Sequence, residues 1–170
     1  MKNLNKKVTY KTTNTYETLN ELTSQTKRIW VVFHGIGFLS RYFLKYFTQL
    51  PKHENYIIAP QAPSKYYLNG AYKHVGASWL TKENTAIETE NLFNYIDATL
   101  EKENLPADCE VILLGFSQGV SIAMRYLVHS QIKCSKLVLY AGGIPQELRK
   151  SDFTFLINDT EIISILGNQD

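Results

Sequence analysis

Apolar positions along this chain follow two rhythms. Short apolar runs at 29–33, 56–59, 111–114 and 137–140, and a fifth at 162–166 broken only by Ser164, predict strands buried on both faces. Spaced apolar residues between them predict helices. Phe43, Leu44, Phe47 and Leu50 share one helical face, with Ser40 placed to cap the helix and Pro51 to end it. Leu92, Ile96 and Leu100 recur at four-residue spacing within 81–103, and Val120, Ala123, Met124, Leu127 and Val128 form a single stripe. Alternation and abundant Thr and Tyr over 8–19 predict edge strands or a hairpin, whereas 61–80 holds no sustained period and reads as a long loop. Residues 151–160 read as irregular.

Strands alternating with helices, each connection long enough for a crossover, predict an α/β domain: a mostly parallel sheet with helices on both faces. One domain over 1–170 accounts for the chain, with N-terminal strands and a connector over 1–28 and the core over 29–170. At 170 residues, 44% hydrophobic and 20% charged, it can bury a sizeable core. A formal charge of +2 without a basic cluster gives no footprint for nucleic acid. The polar first twenty residues lack the apolar centre of a secretory signal, and no run approaches the ~18 apolar residues of a membrane span. A soluble, cytoplasmic protein is expected. Cys109 and Cys134 each open a strand-like run, as small buried thiols do, and neither has a partner at zinc-ligand spacing. No metal and no cofactor are expected.

In a parallel sheet, sites form beyond the carboxyl ends of strands. Four such ends are rich in glycine or polar residues: 34–37, 117–119, 141–145 and 167–170. The second belongs to Gly115-Phe116-Ser117-Gln118-Gly119, a Gly-x-Ser-x-Gly turn joining the clearest strand to the clearest helix. Ser117 is read as a nucleophile. A serine needs a base to take its proton, a carboxylate to orient that base, and donors for the oxyanion. The donors expected are the backbone N–H groups of Gln118, directly after the nucleophile, and of Ile36, in the glycine loop after the first core strand. Asp170, after the last predicted strand and Gly167, suits the acid; Asp152 and Asp159 in the preceding connector are weaker candidates. Gly35 and Trp79 are expected against the substrate, Trp79 from the long loop.

His34-Gly35-Ile36-Gly37, the stretch 59–63 leading to Trp79, Gly115 to Gly119 and 167–170 together resemble the phospholipase/carboxylesterase family of α/β-hydrolases, which includes acyl-protein thioesterases and small bacterial carboxylesterases. The resemblance implies an α/β-hydrolase fold, Ser117 as nucleophile, Asp170 as triad acid and backbone donors at Ile36 and Gln118. It also implies a small-molecule ester or acylated substrate of short to medium acyl length, processed through an acyl-enzyme. Many members carry an acidic residue where this chain has Phe38. They also place the catalytic histidine beyond the acid, after a further helix and strand, so the chain is expected to be C-terminally incomplete. None of its own histidines substitutes well. His34 belongs to the glycine loop, His53 to a remote connector, and His129 lies twelve residues along the helix from Ser117, about 18 Å at ~1.5 Å per residue. His74 sits in the long loop, from which it could fold over the site. The competing reading is a hydrolase-fold protein that binds without turnover, or whose site a partner completes.

Overall fold

The central apolar runs form strands because their backbones can pair on both sides while both rows of side chains are buried. The computed structural model describes residues 4–156 and 160–167. Its main sheet is built from β1 (Tyr16–Leu19), β2 (Arg28–Phe33), β3 (Asn55–Pro60), β6 (Glu110–Phe116), β7 (Lys136–Tyr140) and β8 (Glu161–Ile165). They lie in the order β1-β3-β2-β6-β7-β8, with β1 antiparallel to β3 and every other pair parallel. The mostly parallel sheet predicted from the alternation is therefore present.

Helices α2 (Thr85–Glu103) and α3 (Gln118–Ser130) bury their stripes against one face, where Phe33, Leu113, Ile122, Leu127, Leu137 and Leu139 form the main core. The short α1 (Ser40–Phe43), continued as a 3-10 turn over Leu44–Phe47, covers Val32, Ile57 and Ala59 on the other face. Sheet and helices are joined by polar ties as well. The Glu103 carboxylate, at the end of α2, accepts from the hydroxyls of Tyr16 and Tyr56 at 2.5 Å each.

Four expectations are corrected. The N-terminal alternation yields β1 alone among the described residues, with 4–15 outside any strand. Ser40 does not cap α1: Leu39 holds the N-cap position, and the Ser40 N–H and hydroxyl both donate to Gln61 Oε1, at 3.0 and 3.2 Å. The presumed loop contains an antiparallel hairpin, β4 (Ser64–Tyr67) with β5 (Val75–Ser78). Finally, β8 is not a buried strand. It pairs with β7 along one edge, and four of its five residues are exposed, because no helix among the described residues packs over it.

Candidate active site

The register of the strands decides what meets at the carboxyl edge. Phe33 pairs with Gly115 and Phe116 with Tyr140, so the chain leaves β2, β6 and β7 at one level. Leaving β6, it reverses into α3 within one residue. That residue is Ser117, at φ 53° and ψ −118°, a conformation that non-glycine residues rarely adopt and that costs of order 1–3 kcal/mol. Neighbouring strands enforce it: the Ser117 N–H donates to the Tyr140 carbonyl at 2.8 Å, and the Ser117 carbonyl accepts from Val120 N–H at 3.0 Å.

So tight a reversal requires missing side chains on either side of it. A Cβ at Gly115 would lie 2.4 Å from the Gly119 carbonyl oxygen, and one at Gly119 would lie 2.0 Å from that of Phe33. A third glycine, Gly142 after β7, would place a Cβ 2.2 Å from the Ser117 carbonyl oxygen. The first two glycines are those of the sequence motif. Gly142 falls in the glycine-rich strand end 141–145 that the sequence marks, although its contact with Ser117 is not legible there.

Two backbone N–H groups, next to this turn and in the glycine loop, are left without an acceptor among the described residues. Gln118 is the first residue of α3, so its N–H has no acceptor within the helix. In the loop after β2, Gly37 N–H donates to Ala77 O at 2.8 Å and Phe38 N–H to Gly35 O at 3.2 Å, while the Ile36 N–H has no acceptor among the described residues. Gly35 is the point of contact between loop and turn. A Cβ there would sit 3.2 Å from Ser117 Cβ and 3.1 Å from the Phe116 ring, so its lack of a side chain sets how close the loop can come.

The loop is mounted from below. His34 is fully buried; its Nδ1–H donates to Gly35 O at 2.8 Å, and its Nε2 accepts the Ala62 N–H at 3.2 Å. Both ring nitrogens are thus engaged, and burial pushes its pKa down to about 4, so it stays neutral and is no base for Ser117. Trp79 also differs from expectation. It is fully buried, its ring 4.9 Å from that of His34 and its Nε1–H donating to the His34 carbonyl at 2.7 Å. Burial suits the indole because that bond satisfies its one polar atom, so Trp79 supports the loop instead of lining the substrate's path.

Sequence reading also missed the Gln118 side chain. Its Oε1 accepts the Trp79 N–H at 2.9 Å and its Nε2 donates to the Leu80 carbonyl at 2.8 Å, which ties the turn to the strand end after β5. The hairpin reaches the glycine loop directly as well, since a Cβ at Gly76 would lie 2.5 Å from the Gly37 carbonyl oxygen.

The remaining predicted residues are not brought to Ser117. Asp170 and Asp159 lie outside the described residues. The Asp152 carboxylate accepts the Arg149 N–H at 2.8 Å, capping a 3-10 turn. His53 sits beside Glu54 before β3, at the opposite end of the sheet. His129, near the end of α3, stacks on Phe93 at 4.4 Å and reaches Asp97 at 3.3 Å. His74 is exposed in the hairpin turn. Among the described residues, no group of side chains could hold a metal ion and no helix is long and apolar enough to cross a membrane.

A mostly parallel sheet whose serine occupies a strained strand-to-helix turn beside a glycine loop is the arrangement of an α/β-hydrolase. The phospholipase/carboxylesterase family model matches residues 14–170, and the chain belongs to that family. No curated protein matches it significantly. Its fold is similar to that of a phospholipase/carboxylesterase from Dyadobacter fermentans, at 17% identity and TM-score 0.60 over 92% of this chain and 90% of that one. Acyl-protein thioesterase 2 from Zea mays is also similar, at 14% identity and TM-score 0.60 over 91% and 90%. So is Atu2452, a protein of unknown function from Agrobacterium tumefaciens, at 13% identity and TM-score 0.65 over 91% and 87%.

Proposed function

We propose that the protein is a serine esterase that cleaves carboxylic or thio esters of short to medium acyl length through an acyl-enzyme on Ser117. The observation that carries this reading is the backbone of Ser117, held at φ 53° by packing that tolerates only glycine at 115, 119 and 142. Strain of this kind persists where the surroundings over-determine it and a function uses it. Here it holds a half-buried serine at the start of α3, beside the glycine loop, and the scheme assigns the Ile36 and Gln118 N–H groups as its oxyanion donors.

In the reaction, Ser117 Oγ attacks the ester carbonyl as a base takes its proton, and negative charge collects on the carbonyl oxygen. The N–H groups of Ile36 and Gln118 receive that charge; one such donor contributes roughly 3–4 kcal/mol to the transition state in other serine enzymes. Collapse expels the alcohol or thiol with a proton and leaves the acyl group on Ser117, and water then releases the acid. Asp170 is assigned to orient the base. No metal or organic cofactor enters the scheme, and the partner is a small ester or an acylated molecule.

A second reading is favoured by one observation: His34, His53 and His129 are each engaged away from Ser117. On that reading the chain binds esters without turnover unless a base is supplied. One experiment separates the two. Hydrolysis of p-nitrophenyl butanoate is measured for the parent and for Ser117→Ala, with and without added imidazole. An esterase gives turnover that falls by at least about a thousandfold in Ser117→Ala. Equal rates in the two proteins would remove Ser117 from the mechanism, and turnover above that of imidazole alone that appears only with imidazole and is lost in Ser117→Ala would support the second reading.

A further inference from the structure

Gln61, the residue after β3, is a polar side chain only 4% exposed, and it enters no step of the hydrolytic scheme. Its amide is fully engaged. Oε1 accepts the N–H and the hydroxyl of Ser40, at 3.0 and 3.2 Å, while Nε2 donates to the Ala62 carbonyl at 3.2 Å and faces His34 Nε2 at 3.4 Å. Because the Ser40 N–H can only donate, the amide oxygen has to lie on that side and the NH2 on the side of the imidazole. One buried side chain thus touches both ends of the glycine loop, at His34 and at Ser40, and the Ile36 N–H lies between them.

These contacts decide which imidazole nitrogen carries the hydrogen. His34 Nε2 receives the Ala62 N–H at 3.2 Å and faces the Gln61 NH2, so it is bare. The hydrogen is then on Nδ1 and is donated to the Gly35 carbonyl at 2.8 Å, an oxygen that also accepts the Phe38 N–H at 3.2 Å. That carbonyl and the Ile36 N–H belong to one planar trans peptide group, in which they point in opposite directions. A carbonyl held toward the buried imidazole therefore turns the Ile36 N–H away from it. The other tautomer would set the Nδ1 lone pair against the carbonyl oxygen and remove the bond that holds this orientation.

We propose that Gln61 is a positioning residue for the Ile36 oxyanion donor: through Ser40 it fixes the far end of the loop, and through His34 Nε2 it fixes the tautomer that aims the Gly35–Ile36 peptide. The catalytic consequence rests on the proposed esterase reading, whereas the geometry is measured without turnover.

The experiment compares the whole chain with Gln61→Met, which fills similar space and makes none of these bonds, and with Ser40→Ala, which removes only the hydroxyl. Long-range proton–nitrogen NMR spectra at pH 7 read the His34 tautomer, and amide hydrogen exchange reads the Ile36 N–H. In the parent, Nδ1 carries the hydrogen, and the Ile36 amide exchanges at least about tenfold faster than the bonded amides of Gly37 and Phe38. In Gln61→Met the Nε2–H tautomer becomes detectable and the exchange difference narrows. Loss of a whole oxyanion donor costs about a hundredfold or more, so a misaimed one should lower kcat for p-nitrophenyl butanoate by about tenfold or more, with KM within about twofold. Both proteins are assayed with and without imidazole, and the preference for the oxygen ester over its thiono analogue falls along with kcat. Ser40→Ala should move the same readouts in the same direction, by about threefold in kcat, and decides the matter if Gln61→Met does not fold.

A parent with the hydrogen on Nε2, or an Ile36 amide as protected as that of Gly37, overturns the inference. So do variants that lose stability alone, with tautomer, kcat and thiono preference unchanged. If the ester is not hydrolysed in a Ser117-dependent way while the tautomer and exchange results hold, the esterase reading fails and the positioning of the Ile36 peptide stands. If hydrolysis depends on Ser117 and His34 holds the other tautomer, the reverse is true.

Discussion

At the carboxyl ends of β2, β6 and β7 the backbones come so close that Gly115, Gly119 and Gly142 have no room for a methyl group, and φ turns positive at Ser117 and Ala141. The amino ends of the same strands look quite different. There Lys27 and Arg28 reach Glu54 at 2.7 and 3.4 Å, Arg28 reaches Glu110 at 3.4 Å, and Lys136 pairs with Glu161. A depression of about 640 Å³ opens beside Lys27, Arg28, Glu54 and Glu110. Its size alone would make it a candidate site, yet Lys27, Arg28, Glu54 and Glu110 in its lining are paired with one another. Size of a cavity and readiness for chemistry are thus separated in this molecule. One end is fixed by close backbone packing and keeps donors free, while the other is fixed by long side chains that water screens.

That contrast can be broken at its tightest point. Gly119→Ala drives a Cβ into the Phe33 carbonyl, and the backbone of β2 or α3 has to move. A loss of about 3 kcal/mol or more is expected in urea unfolding, and a variant as stable as the parent would show that the turn is looser than described.

A pH titration gives the next largest effect. His34 is neutral and buried, with its pKa lowered to about 4 against an ordinary value near 6.5. The unfolded chain therefore takes up this proton at a higher pH than the folded one does. The stability is fully present above about 6.5, declines as pH falls, and is lost by about 4, with an upper limit of about 3 kcal/mol. Unfolding midpoints at pH 7 and 4.5 should differ more in the parent than in His34→Gln. Equal pH dependence in the two would mean that the glycine loop does not rely on a neutral imidazole.

The smallest effect is expected at the other end of the sheet. Glu54 has its pKa lowered, chiefly by the hydrogen bond from Lys27, but the side chain is partly exposed, Lys27 is largely exposed, and the pairing is screened. Glu54→Gln should leave the urea midpoint indistinguishable from that of the parent at physiological salt. A large loss there would erase the difference drawn between the two ends.

The sequence made the strands that carry the candidate site legible because burial on both faces leaves unbroken apolar runs, and Gly115 and Gly119 made the turn legible because no larger residue fits. What stayed hidden depends on partners distant in sequence. β4 has all four residues exposed, so the hairpin left no alternation to read. Ser40 looked like a helix cap until Gln61, from the end of β3, took its hydroxyl. Trp79 looked like a substrate wall because nothing in the sequence announces that the His34 carbonyl will satisfy its indole N–H. β8 looked buried because its apolar run, broken only by Ser164, is similar to those of the central strands, although solvent reaches most of it. Asp170 and Asp159 lie outside the described residues, so the assignment of the acid rests on the sequence alone.

The most direct measurement of the central claim is covalent labelling of the chain by an alkyl fluorophosphonate, with the modified residue located by peptide mass mapping. The account predicts a single adduct on Ser117, absent in Ser117→Ala. An adduct on any other residue, or a chain that stays unlabelled with and without imidazole, would contradict the assignment of Ser117 as the nucleophile.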